Sequence, residues 1–459
     1  MFGGGQPSGL AAASAWGRPP PSAGGGPTNH HRLAFRNSFP RIKDEAKLLS
    51  YFCAMFPITR CIYYYPSSVA TSVYGVLYYD CGSRCDWKGH EGITHFLEHV
   101  LFKGAGGLSP RALFERIERY GGELNAFTTK DKMAVEFWVP PDALETALHV
   151  VRLIVEEAAL SDAAVERERQ VILEELAMYE DIPEEMLLDR YEEVIFLEGG
   201  LRHPIIGYRA SLLATSGEVL RRYYREVFQR SPWVLLIGGA VSGRGVERAL
   251  RRTGWLLRAS PQNRLWQANE AWQNSTAPLL ETRPIQQAHI VIGGLGPSPY
   301  EKEGVALQLV LQALGGPFLS STLNLLLRER YGWAYNVYSF FHGYPEKGVW
   351  GIYAGVMPRV ERRALELIQR MLALWQERPV SERRLGVLKR QFWGRQAILW
   401  ERLSYRLQVQ GRWILDTGQP LEETAWKQEV LALSPADLQE AAQRYFTRQW
   451  IAALRPSSD

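Results

Sequence analysis

Two histidines and a glutamate stand together at His95-Phe96-Leu97-Glu98-His99, an H-x-x-E-H spacing. On a helix, residues four apart share a face, so both imidazoles can address one ion, with Glu98 on the same side. Three protein ligands plus a water is the pattern of catalytic zinc. The ion lowers the pKa of the water toward ~7, and a carboxylate beside it takes the proton. Phe96, Val100 and Leu101 give this helix an apolar side, so it packs against something. Polar groups clustered on a packed helix need a partner, and a metal is the simplest one. The plainer alternative is a surface helix that happens to carry two histidines and an acid.

A third ligand has to come from elsewhere, and the helix expected over Ser161–Tyr179 offers two. Glu168 and Glu175 are seven residues apart, on one stripe with Val171, Ile172 and Met178. Glu174 falls with Arg167 and Gln170, a solvated face. A carboxylate on an apolar stripe is costly unless paired or metal-bound, which favours Glu175 as ligand and Glu168 as a second buried acid. The competing reading pairs both acids with Arg167 or Arg169.

The elements that would position these residues can be read from local signals. Leu48–Met55, Cys61–Tyr65 and Val69–Tyr79 are rich in aromatic and β-branched residues and read as strands. A helix from Gly92 to Phe102 carries the H-x-x-E-H residues. Ser109-Pro110 caps a second helix, which closes at Gly121-Gly122. Leu124–Thr128 and Met133–Val139 form a strand pair, followed by helices over Asp142–Ala158 and Ser161–Tyr179. A helix near Glu218–Phe228 and a strand at Trp233–Ile237 complete the block. Strands and helices mix without strict alternation, which gives an α+β fold.

The first block then recurs at offsets close to 215 residues. Gly75–Ser83 is echoed by Ile290–Ser298, Gly92–Gly104 by Gly304–Gly316, and Ser216–Phe228 by Ser434–Phe446. The expectation is two homologous domains, each a mainly antiparallel sheet with helices packed on it. Their bounds are residues 39–258 and 285–459, joined by a polar linker over 259–284. Shifting His95, Glu98 and His99 by the local offset lands on Leu307, Val310 and Leu311. Only the first copy can hold a metal.

Length and composition fit this division. The chain has 459 residues, enough for two domains of roughly 200 residues each, and 46% of it is apolar. A net charge of +4 with no basic run interleaved with aromatics gives no case for nucleic acid or an anionic membrane as partner. No apolar run reaches the ~18 residues of a membrane span. Residues 1–38 include a stretch rich in Gly and Pro that is expected to be a disordered tail. Arg18, Arg32 and Arg36 precede any acid, which leaves an organelle transit segment as the alternative. Four cysteines make no disulfide framework, so the default is a reducing compartment, the cytoplasm. Cys81, Cys85 and His90 lack a fourth ligand for a structural zinc and read as buried thiols and a bystander.

Several segments together resemble the pitrilysin and insulysin inverzincin metallopeptidases, with the half-length processing-peptidase branch nearest. They are HFLEHVLFKG at His95–Gly104, GGELNAFT at Gly121–Thr128 and ERQVILEE at Glu168–Glu175. HPIIG at His203–Gly207 and LLLRERYGWAYNV at Leu325–Val337 complete the set. The resemblance runs from Lys43 to the C-terminus. It implies one zinc ion per chain bound by His95, His99 and Glu175, with Glu98 as general base and Glu168 supporting the site. It implies that Asn125 and Ala126 lie on a strand to which an unstructured peptide substrate adds. Arg328 and Tyr335 match an arginine and tyrosine that bind substrate and stabilise the oxyanion. In the family such chains pair into a clamshell, each supplying the arginine and tyrosine to the opposite half. This chain carries both sets, which implies a homodimer, with a heterodimer as the variant. Two departures stand out: Lys130-Asp131-Lys132 where a glutamate is usual, and a glycine-rich loop reduced to Gly315-Gly316-Pro317. The competing functional readings are a non-catalytic partner or structural subunit of a processing peptidase or respiratory complex, and a peptide-binding module or inert zinc protein.

Overall fold

The computed structural model describes residues 55–266 and 278–457. The expected tail, and nearly all of the strand expected at Leu48–Met55, lie outside them. In the first half the elements are β1 (Phe56–Thr59), β2 (Ile62–Pro66), β3 (Val73–Tyr79), α1 (Ile93–Leu101) and α2 (Pro110–Glu118). They continue with β4 (Glu123–Thr128), β5 (Met133–Val139), α3 (Leu144–Glu156), α4 (Asp162–Glu180) and α5 (Pro183–Ile195). α6 (Arg209–Ala214), α7 (Gly217–Glu226), β6 (Trp233–Gly239) and α8 (Gly243–Arg252) close it. The second half runs β7 (Leu279–Arg283), β8 (Ala288–Gly296), α9 (Lys302–Gly315), a π-helical turn at Asn324–Arg330, β9 (Ala334–Gly343) and β10 (Gly348–Val356). It ends with α10 (Glu361–Glu377), α11 (Glu382–Trp400), α12 (Leu403–Thr417), α13 (Glu423–Ala432), α14 (Pro435–Tyr445) and β11 (Trp450–Pro456).

Two sheets follow one plan. The first has the order β1-β2-β6-β3-β5-β4 and the second β7-β11-β8-β10-β9. In each, one parallel pair (β2 with β6, β7 with β11) adjoins antiparallel neighbours. The two homologous, mainly antiparallel α+β domains read from the sequence are therefore present. α4 and α11 show the repeat most closely: each has 19 residues and a serine N-cap, Ser161 and Ser381.

The boundary between the halves differs from the expected linker. Leu279–Arg283, inside the stretch 259–284, is the edge strand β7, parallel to β11. An edge strand needs few apolar residues, so its composition resembles that of a loop. The helices are also exchanged. α5 lays Leu187, Tyr191 and Ile195 on the second sheet against Val291, Val349 and Trp450. α12 lays Leu407 and Ile414 on the first sheet against Tyr74, Val76, Tyr78 and Leu236. β3 is buried along its whole length because α12 covers one face and the first half's own helices the other. A strand covered on both faces is apolar throughout rather than alternating.

Candidate active site

α1 is fixed at its N-terminus before it presents any chemistry. Gly92, the N-cap, has φ of 93°, and a Cβ there would stand 2.4 Å from Ile206 O. Its N–H donates to Asp86 Oδ2 at 2.6 Å, and the Thr94 N–H and hydroxyl donate to Asp86 Oδ1 at 3.1 and 2.5 Å. A carboxylate here satisfies the otherwise unpaired amides of the first turn. Burial pushes the Asp86 carboxyl up to about 7, against those hydrogen bonds.

One face of α1 then meets α4. His95 Nε2 lies 3.9 Å from Glu175 Oε1, and His99 Nε2 lies 3.5 Å from Glu175 Oε2. One ligand atom from each of these three residues falls within 4.8 Å of the others. His99 Nδ1 faces Glu168 Oε2 at 3.6 Å, and the other Glu168 oxygen pairs with Lys103 Nζ at 3.0 Å. Glu98 sits beside this group and accepts a hydrogen bond from the Thr128 hydroxyl on β4.

Burial and neighbouring charges act unevenly on the cluster. Burial, helped by the neighbouring His99, lowers the His95 pKa to about 3, so the ring stays neutral and keeps one nitrogen lone pair. Its Nδ1 is buried without a hydrogen-bond partner among the described residues. Burial would lower His99 too, but Glu168 and the charges of Glu175 and Glu98 outweigh it and raise its pKa. Burial pushes Glu98 and Glu175 up. Glu168 is held low despite burial, by His99 and Lys103. Carboxylates crowded beside two imidazoles, one with a second carboxylate behind it, form the donor set of a zinc site with its outer support. The residues fit the ion.

The buried face of α4 differs from the expected stripe. Val171 is 44% and Met178 63% exposed, so they do not share a buried face with the two glutamates. The buried line runs through Val165, Glu168 and Ile172, and Glu175 stands at its rim. Arg169 pairs with Glu166 at 3.0 Å and donates to Thr215 O at 2.8 Å, leaving Glu168 and Glu175 to the histidines.

Asn125 and Ala126 lie on β4, the outermost strand of the first sheet. Ala126 faces the α1 side, whereas Asn125 Nδ2 donates to Glu136 Oε1 at 3.3 Å on the opposite face. Arg328 and Tyr335 meet each other, the guanidinium 5.4 Å from the ring centroid, and Tyr335 is 80% exposed. Neither forms a hydrogen bond or ion pair with the first-half cluster among the described residues. Sequence reasoning missed Thr128 and Lys103. Both were accessible to it: strand alternation puts Thr128 on the face of Ala126, and Lys103 stands just past the end of α1, four residues after His99.

The model for the insulinase peptidases, family M16, matches residues 64–208, and that for the M16 inactive domain matches residues 215–392. The chain belongs to peptidase family M16. This M16 chain is 28% identical over 387 residues to an uncharacterized zinc protease of Streptomyces coelicolor, spanning 83% of the chain and 84% of that relative. It is 27% identical over 375 residues to the uncharacterized zinc protease YmxG of Bacillus subtilis, spanning 81% and 90%. A protease from Helicobacter pylori shares the fold, with a TM-score of 0.81 at 19% identity over 88% of this chain and 99% of that one. A Pseudomonas fluorescens M16 inactive-domain structure follows, with a TM-score of 0.78 at 16% identity over 89% and 99%.

Proposed function

We propose that this M16 chain is a zinc-dependent endopeptidase acting on unstructured peptides, with one zinc held by His95, His99 and Glu175. The observation that carries the reading is the convergence of those three ligand atoms, with the Glu98 carboxylate fixed beside them by Thr128. Bound zinc supplies Lewis acidity that brings the pKa of water toward ~7. Glu98 is the general base. Thr128 engages its Oε2, which leaves Oε1 to receive the proton. Burial raises this carboxyl, and a base is most effective when its pKa approaches the working pH. Glu168 and Lys103 orient His99 from behind.

The outer edge of β4, the strand that carries Asn125 and Ala126, faces no further strand among the described residues, and an extended peptide adds to it as one. An unstructured segment takes up such an extended form without first unfolding. Arg328, half-buried, and Tyr335, exposed, stand apart from their own chain's cluster and serve the site of a second copy in a homodimeric clamshell. The described cysteines are free thiols, in keeping with a cytoplasmic setting. Among the described residues no helix is long and apolar enough to cross a membrane.

The test is cleavage of a quenched fluorescent, unstructured peptide with and without a chelator, beside Glu98→Gln. Chelator-sensitive turnover that disappears in the variant supports the reading; a zinc-loaded chain without turnover refutes it. A fully active monomer at micromolar concentration would rule out the dimer working in trans.

A further inference from the structure

Thr128 is the last residue of β4, and a turn of four residues, 129–132, separates it from β5. At this hairpin tip Lys130, Asp131 and Lys132 are only 6%, 1% and 1% exposed. Their charges are answered by other parts of the molecule. Lys132 Nζ lies 2.9 Å from Asp80 Oδ1, just after β3, and 2.9 Å from Asp416 Oδ1 on α12. Asp131 Oδ2 accepts from Arg412 Nη2 at 3.1 Å, also on α12, and Arg412 donates to Gly343 O at 2.7 Å, at the end of β9. Lys130 Nζ pairs with Glu192 of α5 at 3.0 Å.

The backbone of the turn is held as well. Ser83 N donates to Thr129 O at 3.1 Å and Arg84 N to Lys130 O at 2.7 Å. A Cβ on Gly82 would stand 2.4 Å from Lys132 N, so the tip rests directly on bare glycine backbone. α5 and α12 are the two helices exchanged between the halves, and the tip is tied to both. Thr128 pairs with Met133 across the neck of the turn, so a shift of the tip reaches the hydroxyl that holds Glu98.

We propose that Arg412, Asp131 and Lys132 are positioning residues through which the second half of the chain sets the placement of Glu98. The assignment rests on the peptidase reading above. It gives the half without metal ligands a part in the site of its own chain: α12 clamps the hairpin tip, the tip fixes Thr128, and Thr128 fixes the base. Hydrogen bonds weaken steeply once length and angle depart from their optimum, so a loosened tip lowers the fraction of molecules with Glu98 in place.

Removing Lys132 would leave Asp80, Asp131 and Asp416 facing one another in a buried space, so the test uses Arg412, whose side chain is 38% exposed. Arg412→Gln, Thr128→Val and the double variant are compared in the full chain, with Arg412→Lys as the conservative change. The expected result is a fall in kcat of about five- to tenfold for Arg412→Gln, with KM and zinc per chain unchanged. Arg412→Lys should recover most of the loss. In the Thr128→Val background Arg412→Gln should change kcat by less than about twofold, because its route is already cut. Additive effects of the two substitutions, or an Arg412→Gln protein as fast as wild type, would overturn the assignment. A wild-type chain with no chelator-sensitive turnover would overturn the peptidase reading and the assignment together. An active wild type with additive variants overturns the assignment alone.

Discussion

α1 and α9 occupy equivalent places beneath equivalent sheets, and α4 and α11 cross them in the same way. In the first half this helix pair carries His95, Glu98, His99, Glu168 and Glu175. In the second, the matching positions are Leu307, Val310, Leu311, Leu388 and Arg395. Leu307, Val310, Leu311 and Leu388 are at most 3% exposed, and they fill with hydrocarbon the space that the first half gives to ionisable groups. The architecture therefore needs none of the polar residues. They are kept in the first half against a desolvation cost that a cation held as proposed above would offset, and the second half shows the same framework relieved of that cost.

The contrast is best broken at its centre. Glu98→Gln should lower turnover about 10²- to 10⁴-fold while zinc content by atomic absorption stays the same. Placing an acid in the apolar copy should fail structurally: Leu388→Glu buries a carboxylate without a built partner. We expect a loss of about 3–5 kcal/mol in urea unfolding, with no zinc gained. The reverse exchange, Glu168→Leu, should weaken zinc binding about 10- to 100-fold, read by competition with a chelating dye. The metal-free Glu168→Leu protein should unfold at a lower urea concentration than wild type, because His99 and Lys103 lose the carboxylate that answers them.

Where the halves meet, Glu192 is held at about 2, against burial, by Lys130 and His342. Its ordinary value is about 4.5. Because the folded-state value is depressed, its contribution is complete above about 4.5 and is lost as pH falls toward about 2. Glu192→Gln should be less stable at neutral pH, with a smaller drop in urea midpoint between pH 6 and pH 3 than wild type. The smallest effects are at the serine caps. Ser434 and Asp437 form a reciprocal capping box on α14, whereas Ser216 only accepts from Val219 N on α7. Ser434→Ala should cost about 1 kcal/mol and Ser216→Ala less, measured as shifts in thermal midpoint.

What could be read in advance followed the range of the signals. α1, the Ser109-Pro110 start of α2, the β4–β5 pair and the serine-capped repeat helices depend on neighbours a few residues away, and their patterns are explicit. β7 was hidden because an exposed edge strand has the composition of a linker. The exchange of α5 and α12 was hidden because it depends on contacts far apart in the chain. At the site, His95, Glu98 and His99 came from spacing alone. The stripe on α4 misplaced Val171 and Met178 because adjacent helical positions differ by about 100°, enough to turn a buried line into an exposed one. Lys130-Asp131-Lys132 has the composition of a solvated turn, and the carboxylates of Asp80, Glu192 and Asp416 together with the Arg412 guanidinium explain its burial.

The exchanged helix α12 also has a consequence for biosynthesis. The face of the first sheet that it covers, with Tyr74, Val76, Tyr78, Val234 and Leu236, is complete once β6 has left the ribosome. α12 ends at Thr417, far downstream of Gly239. At about 5–20 residues per second the nascent chain waits roughly 10–40 s with this aromatic surface bare. During that interval the growing polypeptide is a natural client for a holdase, and truncation before α12 leaves it one permanently.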